Sequence, residues 1–315
     1  MSILKTPKKA AEAANTASVT VVQRGSAALT FRRLRRDPGS VIAFVFIVLL
    51  VLFAVGAPLI AALTGHGPNE QFRDTGLTPA GIPVGPGGAF LFGTDQLGRD
   101  VLVRLAYGAR ISLIVGVVAS IAAATIGVVV GLLAGYFGNR TDTVLSRIMD
   151  LVMSVPFLLA AIALVSVLGP SLVLSISVIV FFTWTPIARV IRGQVLALKR
   201  REFVEAARSL GAGHVSIMFR DILPNLMVPI IIYSTLMIPS AIVFEATLSF
   251  LGMGVVPPTA SWGGMLSEAA GNSIYLAAPW LVIIPGLALL FTTLAFNILG
   301  DGLRDALDPR AARKA

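Results

Sequence analysis

One polar stretch between two apolar spans is the part of this sequence best suited to contact a soluble partner. Residues 205–211 read Glu-Ala-Ala-Arg-Ser-Leu-Gly, and a Leu-Pro pair at 223–224 closes the stretch. Gly211 stands where a left-handed helix cap is expected. The small side chains of Ala206 and Ala207 allow close approach by a partner surface. The composition of this stretch therefore favours binding to a partner protein over catalysis.

The same stretch predicts two short helices that lead into the membrane. Phe203, Ala207 and Leu210 fall on one face of the first helix. A second short helix can begin at His214, and Pro224 suits the first turn of the next span. From the residue pattern alone, a solvated loop resting on the membrane surface explains the stretch equally well, since amphipathic interfacial helices are common.

Glu245 is the one acidic residue inside an apolar span and is a candidate functional residue. Ionisable groups inside membranes are usually functional or paired. Its place near the outer end of its span would let the carboxyl reach water. A buried structural hydrogen bond or a gate contact is favoured over substrate binding.

The sequence predicts no enzyme, no cofactor and no metal site in this chain. It contains no Gly-x-x-x-x-Gly-Lys-Ser/Thr phosphate loop and no His-Glu-x-x-His pair. It has no cysteine, which excludes disulfides and thiolate ligands. The two histidines, His66 and His214, are far apart in sequence.

The composition places the chain among polytopic all-α membrane proteins. Of its 315 residues, 56% are hydrophobic and only 13% are charged, against about 25% charged residues in a typical soluble domain. Charge-free windows predict six transmembrane helices near residues 41–63, 112–134, 147–168, 171–188, 226–251 and 277–299. The net charge of +9 is better explained by basic loops that face anionic lipid than by nucleic acid.

The distribution of basic residues predicts that both termini are cytoplasmic. All but four of the 25 Lys and Arg residues fall on the side of the termini. The four exceptions are Arg73, Arg99, Arg104 and Arg110. The predicted organisation is a disordered cytoplasmic tail (1–30), a basic surface segment with the first span (31–63), an external polar segment (64–109), a core with five spans and the polar loop 200–224 (110–301), and a cytoplasmic C-terminal tail (302–315).

Two further patterns carry structural expectations. Asp95, Arg99 and Asp100 in the external segment are expected to form local, exposed ion pairs of little energetic weight. Gly127, Gly131 and Gly135 recur every four residues and predict close helix packing, within the chain or against a partner.

The polar loop resembles the EAA loop of ABC importer permeases, whose pattern is Glu-Ala-Ala, three residues, Gly, nine residues, Ile, one residue and Leu-Pro. Asp221 stands at the Ile position. In that family the loop forms a coupling helix that docks on a cytoplasmic ATPase, so the resemblance implies an ATPase-coupling role for residues 205–211. The matching residues are Glu205, Ala206, Ala207, Gly211, Leu223 and Pro224.

Further segments narrow the resemblance to the second permease subunit of dipeptide, oligopeptide and nickel ABC importers. It covers roughly residues 30–310. The segments that carry it are the FGTDQLGRD stretch at 92–100, LSFLG at 248–252, Pro-Pro at 257–258, Ser-Trp-Gly at 261–263 and NILGDGLRDALDP at 297–309.

The resemblance implies a type I ABC importer permease that forms half of a translocation path for ATP-driven import of peptides across the cell membrane. The partners it implies are a homologous second permease subunit, one or two ABC ATPase subunits that carry ATP and Mg, an extracytoplasmic substrate-binding protein and membrane lipid. The alternatives are a permease for nickel or another small solute, a secondary transporter, and a non-transport scaffold.

Overall fold

The computed structural model describes residues 33–307, and this described part is helical, with isolated β-bridges only. The predicted disordered tail (1–30) and residues 308–315 of the predicted C-terminal tail lie outside the described residues. The main helices are α1 (Pro38–Val55), α2 (Ala57–Thr64), α3 (Val101–Phe137), α4 (Asn139–Ser154), α5 (Phe157–Leu168), α6 (Leu172–Leu198), α7 (Glu202–Ser209), α8 (Met227–Phe250), α9 (Trp262–Ala270) and α10 (Trp280–Leu307).

Shorter helical elements fill several of the connections. They are helical turns at Arg73–Gly76 and His214–Ser216, a π-helix at Ile217–Ile222, and 3-10 helices at Leu223–Leu226 and Gly271–Leu276.

The predicted third span is broken in the structure. Helices α4 and α5 meet at an angle of 81°, and Pro156 stands at the break in an extended conformation. Proline has no N–H to continue the hydrogen-bond ladder, and it disfavours a helical conformation at the residue before it, Val155. Within residues 33–307 the chain has five helices long and apolar enough to cross a membrane, or six when this bent pair counts as one span.

Helix α3 begins about three turns before the predicted span at 112–134. The Asp100 carboxylate caps it, with Oδ1 accepting hydrogen bonds from the backbone N–H of Leu102 (2.8 Å) and Val103 (3.2 Å). Arg110, the charged residue that seemed to precede the span, lies inside the helix and stacks on Tyr107, and Arg104, also inside it, is paired with acids. Part of the predicted external segment, residues 101–109, is therefore the start of α3.

The predicted glycine stripe packs α3 against α6 within the chain. A Cβ added at Gly131 would lie 2.9 Å from Cβ of Ile191, and one at Gly135 would lie 2.9 Å from the carbonyl oxygen of Arg192. These approaches are closer than side chains tolerate, so only glycine lets the two backbones come together here. The pair forms the rigid centre of the fold.

The end of the fold that carries the external segment is organised around Trp262, which is fully buried at the start of α9. Its indole Nε1 donates a hydrogen bond of 3.0 Å to the carbonyl oxygen of Leu105 in α3. Apolar residues of α1, α3, α8 and α10 complete this core. Helix α9 is therefore held firmly against the membrane helices.

Candidate functional site

Helix α7 presents two different faces. Val204 is fully buried and Ala207 packs beside it, whereas Phe203 is 41% and Leu210 is 88% exposed. Phe203, Ala207 and Leu210, which the sequence pattern put on one face, are therefore divided between an inner and an outer side. The exposed apolar side chains leave an outer surface that a partner can cover.

The inner face of α7 fastens it to the ends of the long helices. Val204 and Ala207 join one apolar cluster that draws on α3, α6 and the π-helix. Its buried members include Leu132, Tyr136, Ile191, Val195, Ile217, Met218 and Ile222. A push on α7 is therefore delivered to α3 and α6 through close-packed side chains, which transmit displacement well.

Tyr136, near the end of α3, is the polar centre of this attachment. Its hydroxyl lies 2.9 Å from Nδ1 of His214, and the Arg208 guanidinium lies over its ring at 5.8 Å from the centroid. At the end of α6, Lys199 Nζ donates a hydrogen bond of 2.7 Å to the carbonyl oxygen of Gly135. Four separate segments thus meet at one tyrosine.

The six residues that match the EAA pattern occupy two places. Three of them, Glu205, Ala206 and Gly211, are exposed at the outer side of α7, and Gly211 adopts φ +81°. Ala207 lies on the inner side. Leu223 and Pro224 open the 3-10 helix that leads into α8. The outer surface, defined by Glu205, Ala206, Leu210 and Gly211, mixes one charge with small and apolar groups.

An irregular helix connects this surface to α8. The chain passes from the turn at His214–Ser216 through the π-helix and the 3-10 helix to Met227 with no non-helical break. Pro224 sits in the 3-10 helix, where its missing N–H breaks the regular α ladder. Movement of the loop can therefore pass directly into the membrane-spanning α8.

Glu245 is fully buried on α8 and does not reach water. Its Oε1 accepts a hydrogen bond of 2.7 Å from the hydroxyl of Ser249, and its Oε2 accepts one of 3.3 Å from Ser112 on α3. The carboxyl therefore does not extend toward water. The hydrogen bond from Ser112 joins α8 to α3, whereas Ser249 lies on α8 itself.

The external segment holds a buried ionic cluster in place of the exposed pairs expected from the sequence. Arg99 bonds Asp95 and Glu268 at 2.6 Å each, and Arg104 lies 3.3 Å from the same two acids. Asp100 contacts His66 Nδ1 at 2.7 Å. Sequence analysis overlooked Glu268, because it lies 169 residues from Arg99 and no local spacing connects them.

Metal binding finds no support in these arrangements. Within residues 33–307, no three His, Asp or Glu side chains converge as metal ligands would. The polar groups that do converge are satisfied by arginine or serine partners. The candidate sites are therefore the outer surface of α7, its anchor at Tyr136 and the buried carboxyl of Glu245.

The sequence of this chain matches two protein families. Residues 127–313 match the family described as binding-protein-dependent transport system inner membrane component. Residues 27–79 match the N-terminal TM domain of oligopeptide transport permease C.

Curated relatives align over nearly their whole length. The chain is 42% identical to the di/tripeptide transport system permease protein DppC of Pseudomonas aeruginosa, over 89% of this chain and 90% of that one. It is 41% identical to the oligopeptide transport system permease protein OppC of Bacillus subtilis, over 88% of each.

A solved structure shares the fold. A chain of the MetNI methionine ABC transporter, in an inward-facing conformation, superposes with a TM-score of 0.53 and 18% identity. The match covers 65% of this chain and 96% of that one. The chain is thus a multi-pass cell-membrane protein that belongs to the family of binding-protein-dependent transport system inner membrane components, the permeases of ABC importers.

Proposed function

We propose that this chain is one of two permease subunits of an ABC importer for di- or oligopeptides and forms half of the translocation path. The observation that carries the proposal is the set of full-length relatives near 40% identity whose names are dipeptide and oligopeptide permeases. ATP and Mg bind to separate ATPase subunits, because this sequence has no phosphate-binding loop.

The outer surface of α7 is the proposed docking site for an ATPase subunit. Glu205, Ala206 and Gly211 form the exposed part of the docking element, Ala207 anchors the element from the inner side of α7, and Leu223 with Pro224 joins it to α8. The exposure of both Phe203 and Leu210 on the outer side of α7 supports this role, since an apolar patch left in solvent marks a contact surface. ATP-driven closure of the ATPase pair then moves α7, and the contacts to α3, α6 and α8 carry the movement into the membrane.

The membrane orientation follows from this assignment. Both termini and α7 face the cytoplasm, where the ATPase subunits lie. The binding protein approaches the opposite face, formed by residues 64–100 and 251–276. The buried cluster of Arg99, Arg104 and Glu268 supports that role, because it holds both segments as one rigid platform.

The alternatives receive less support. A secondary transporter would need intramembrane ion or proton sites, and the Glu245 carboxyl is occupied by two serine hydroxyls. A nickel or other small-solute permease would share the motifs, but the relatives cited above are named for peptides. A scaffold without transport activity does not fit membership of a transport family.

A co-purification experiment tests the proposal. The tagged chain is extracted from native membranes, and its partners are identified by mass spectrometry beside a Glu205→Arg/Gly211→Trp variant. Arg147→Glu, a charge reversal at an exposed residue of α4, is the control. We expect a second permease and an ATPase with the wild type and the control, and loss of the ATPase from the variant. Recovery of the chain without any ATPase would refute the proposal.

Peptide uptake supplies the functional half of the test. Vesicles that contain the purified complex and its binding protein are given ATP and labelled di- or oligopeptide. Uptake that requires ATP is expected. Uptake driven by an ion gradient without ATP would refute the proposal and show that the chain is a secondary transporter.

A further inference from the structure

A concave face lies on the membrane part of the chain, where α8 meets α5, α6 and α10. Two cavities of about 400 Å³ and 240 Å³ share Ser240 and Phe244 on their walls. The larger is bounded by residues of α5, α6 and α8, and the smaller by residues of α8 and α10. Both cavities border the same two residues of α8, and we refer to the two cavities together as the groove.

The groove carries polar side chains that lack partners. Tyr233 is 38% exposed, and Ser240 and Asn297 are also exposed. None of the three forms a side-chain hydrogen bond to any residue between 33 and 307. Facing hydrocarbon, such groups would carry a heavy desolvation cost, since lipid offers no hydrogen bonds. This face is therefore better suited to a polar occupant than to lipid tails.

The groove is also free of charge. Among the described residues that line the two cavities there is no Asp, Glu, Lys, Arg or His. Aromatic rings make up much of the rest, with Phe157 centred 4.3 Å from Phe244 and 5.7 Å from Phe182.

We infer that this groove is the wall that the chain contributes to the translocation path, and that it binds peptides in transit by neutral hydrogen bonds to their backbone amides and by aromatic contacts. The inference rests on the proposed function. A wall with hydroxyl and side-chain amide groups matches the backbone amides that all peptides share. Since it has no fixed charge, it does not discriminate among acidic, basic and neutral side chains.

Cysteine labelling tests whether the groove is open to water. The chain has no native cysteine, so Ser240→Cys and Asn297→Cys each place one thiol in it. The full complex in native membrane vesicles is treated with a charged, membrane-impermeant thiol reagent. Ile121→Cys, at an apolar position of α3 that is 60% exposed, is the control.

We expect both groove thiols to react at least about tenfold faster than the Ile121→Cys thiol, because only an ionised thiol reacts and ionisation needs water. Saturating tri-alanine together with the binding protein and ATP should slow the reaction. Groove thiols that react no faster than the control would refute the inference. A Ser240→Cys thiol that is unreactive but cross-links to the second permease would also refute it, since the groove would then be a subunit interface.

Introducing a charge into the groove tests whether peptides contact Ser240 during transport. Ser240→Asp adds a charge, and Ser240→Asn is its uncharged match in size. Uptake of Ala-Lys-Ala and Ala-Asp-Ala is compared in the reconstituted complex, each relative to wild type, so that selection by the binding protein cancels. The Lys/Asp uptake ratio should rise about fivefold or more in Ser240→Asp and stay within about twofold in Ser240→Asn.

Equal ratios in the two variants would refute the inference. If the Ser240→Asp complex cannot be recovered, the labelling result decides. Failure of the proposed function is distinguishable, because the wild-type complex would then show no ATP-driven peptide uptake at all. Wild-type uptake with an unshifted ratio contradicts only the assignment of the groove.

Discussion

The Tyr136 hydroxyl and Nδ1 of His214 lie 2.9 Å apart and join the end of α3 to the segment that follows α7. Tyr136 is nearly buried, and the Arg208 guanidinium of α7 covers its ring. Tyr136 therefore contacts the proposed docking element at Arg208 and the segment that follows the element at His214. Because α3 is packed through glycines against α6, this contact ties the loop to the most rigid part of the fold.

Tyr136→Phe should uncouple ATP hydrolysis from uptake without dissociating the complex. The change removes one hydrogen bond, worth about 1 kcal/mol, and keeps the ring that Arg208 and Val204 surround. We expect peptide uptake per ATP hydrolysed to fall severalfold, while the amount of ATPase that co-purifies stays as in the wild type. The measurement is paired uptake and phosphate release in reconstituted vesicles.

Two changes at His214 control this experiment. Asn can place a hydrogen-bonding atom near the position of Nδ1, so His214→Asn should retain most of the coupling, whereas His214→Ala should behave like Tyr136→Phe. Identical uptake per ATP in wild type, Tyr136→Phe and His214→Ala would show that the hydrogen bond does not transmit movement.

Gly131→Ala should destabilise the protein, and Gly193→Ala should not. A methyl group at Gly131 would lie 2.9 Å from Cβ of Ile191, whereas nothing lies within 4 Å of one at Gly193 on α6. Overpacking typically costs about 1–3 kcal/mol, whereas Gly to Ala at an open helical site contributes up to about 1 kcal/mol of stability. Thermal unfolding in detergent measures both changes. A lower melting temperature for Gly193→Ala than for Gly131→Ala would contradict the packing argument.

Local patterns predicted much of the architecture for a physical reason. Apolar windows must match the thickness of the bilayer, so the spans could be located, and small residues at a helical spacing mark a close helix contact. Proline within a membrane helix is often accommodated without a break, so the sequence does not determine the size of the bend at Pro156. Its 81° angle depends on packing around the break.

The features that could not be predicted from the sequence depend on contacts between residues that are far apart in the chain. Arg104 lies at the external end of the fold, as predicted, but it is buried there and pairs with Glu268, 164 residues away. Tyr136 and His214 are 78 residues apart and share no motif. The sequence did not predict the groove, because only the packing of α8 against its neighbours brings Tyr233, Ser240 and Asn297 to the cavity walls.

Glu245→Gln should leave transport and stability nearly unchanged. A glutamine amide can accept the hydrogen bond from Ser249 and donate one to Ser112, so both hydroxyls that now bond the carboxyl keep a partner. Glu245→Leu removes both bonds and should cost about 1–3 kcal/mol for the buried hydroxyl groups left unpaired. Uptake and melting temperature are measured together. Loss of uptake in Glu245→Gln at unchanged melting temperature would show that a carboxyl is required for transport.

Glu268→Gln should destabilise the external platform much more than Glu70→Gln. Glu268 is the acid that joins α9 to both Arg99 and Arg104, whose side chains are 4% and 2% exposed. Breaking a buried ion pair costs about 3–5 kcal/mol. The Glu268 side chain keeps 23% of its surface exposed, so we expect about 2–3 kcal/mol here, after a discount for solvent screening. Glu70 accepts one exposed hydrogen bond from Gly67, and its substitution should change stability by less than about 0.5 kcal/mol.

Denaturant unfolding of the purified protein at low and high salt measures this difference. The arginines are shielded from water, so the cost of Glu268→Gln should persist at 1 M salt, where the screening length is about 3 Å and exposed pairs lose their attraction. A cost that disappears at high salt would mean that the cluster is open to solvent. Arg99 and Arg104 would then not hold the external segment and α9 as one rigid body, and the binding-protein platform would need another explanation.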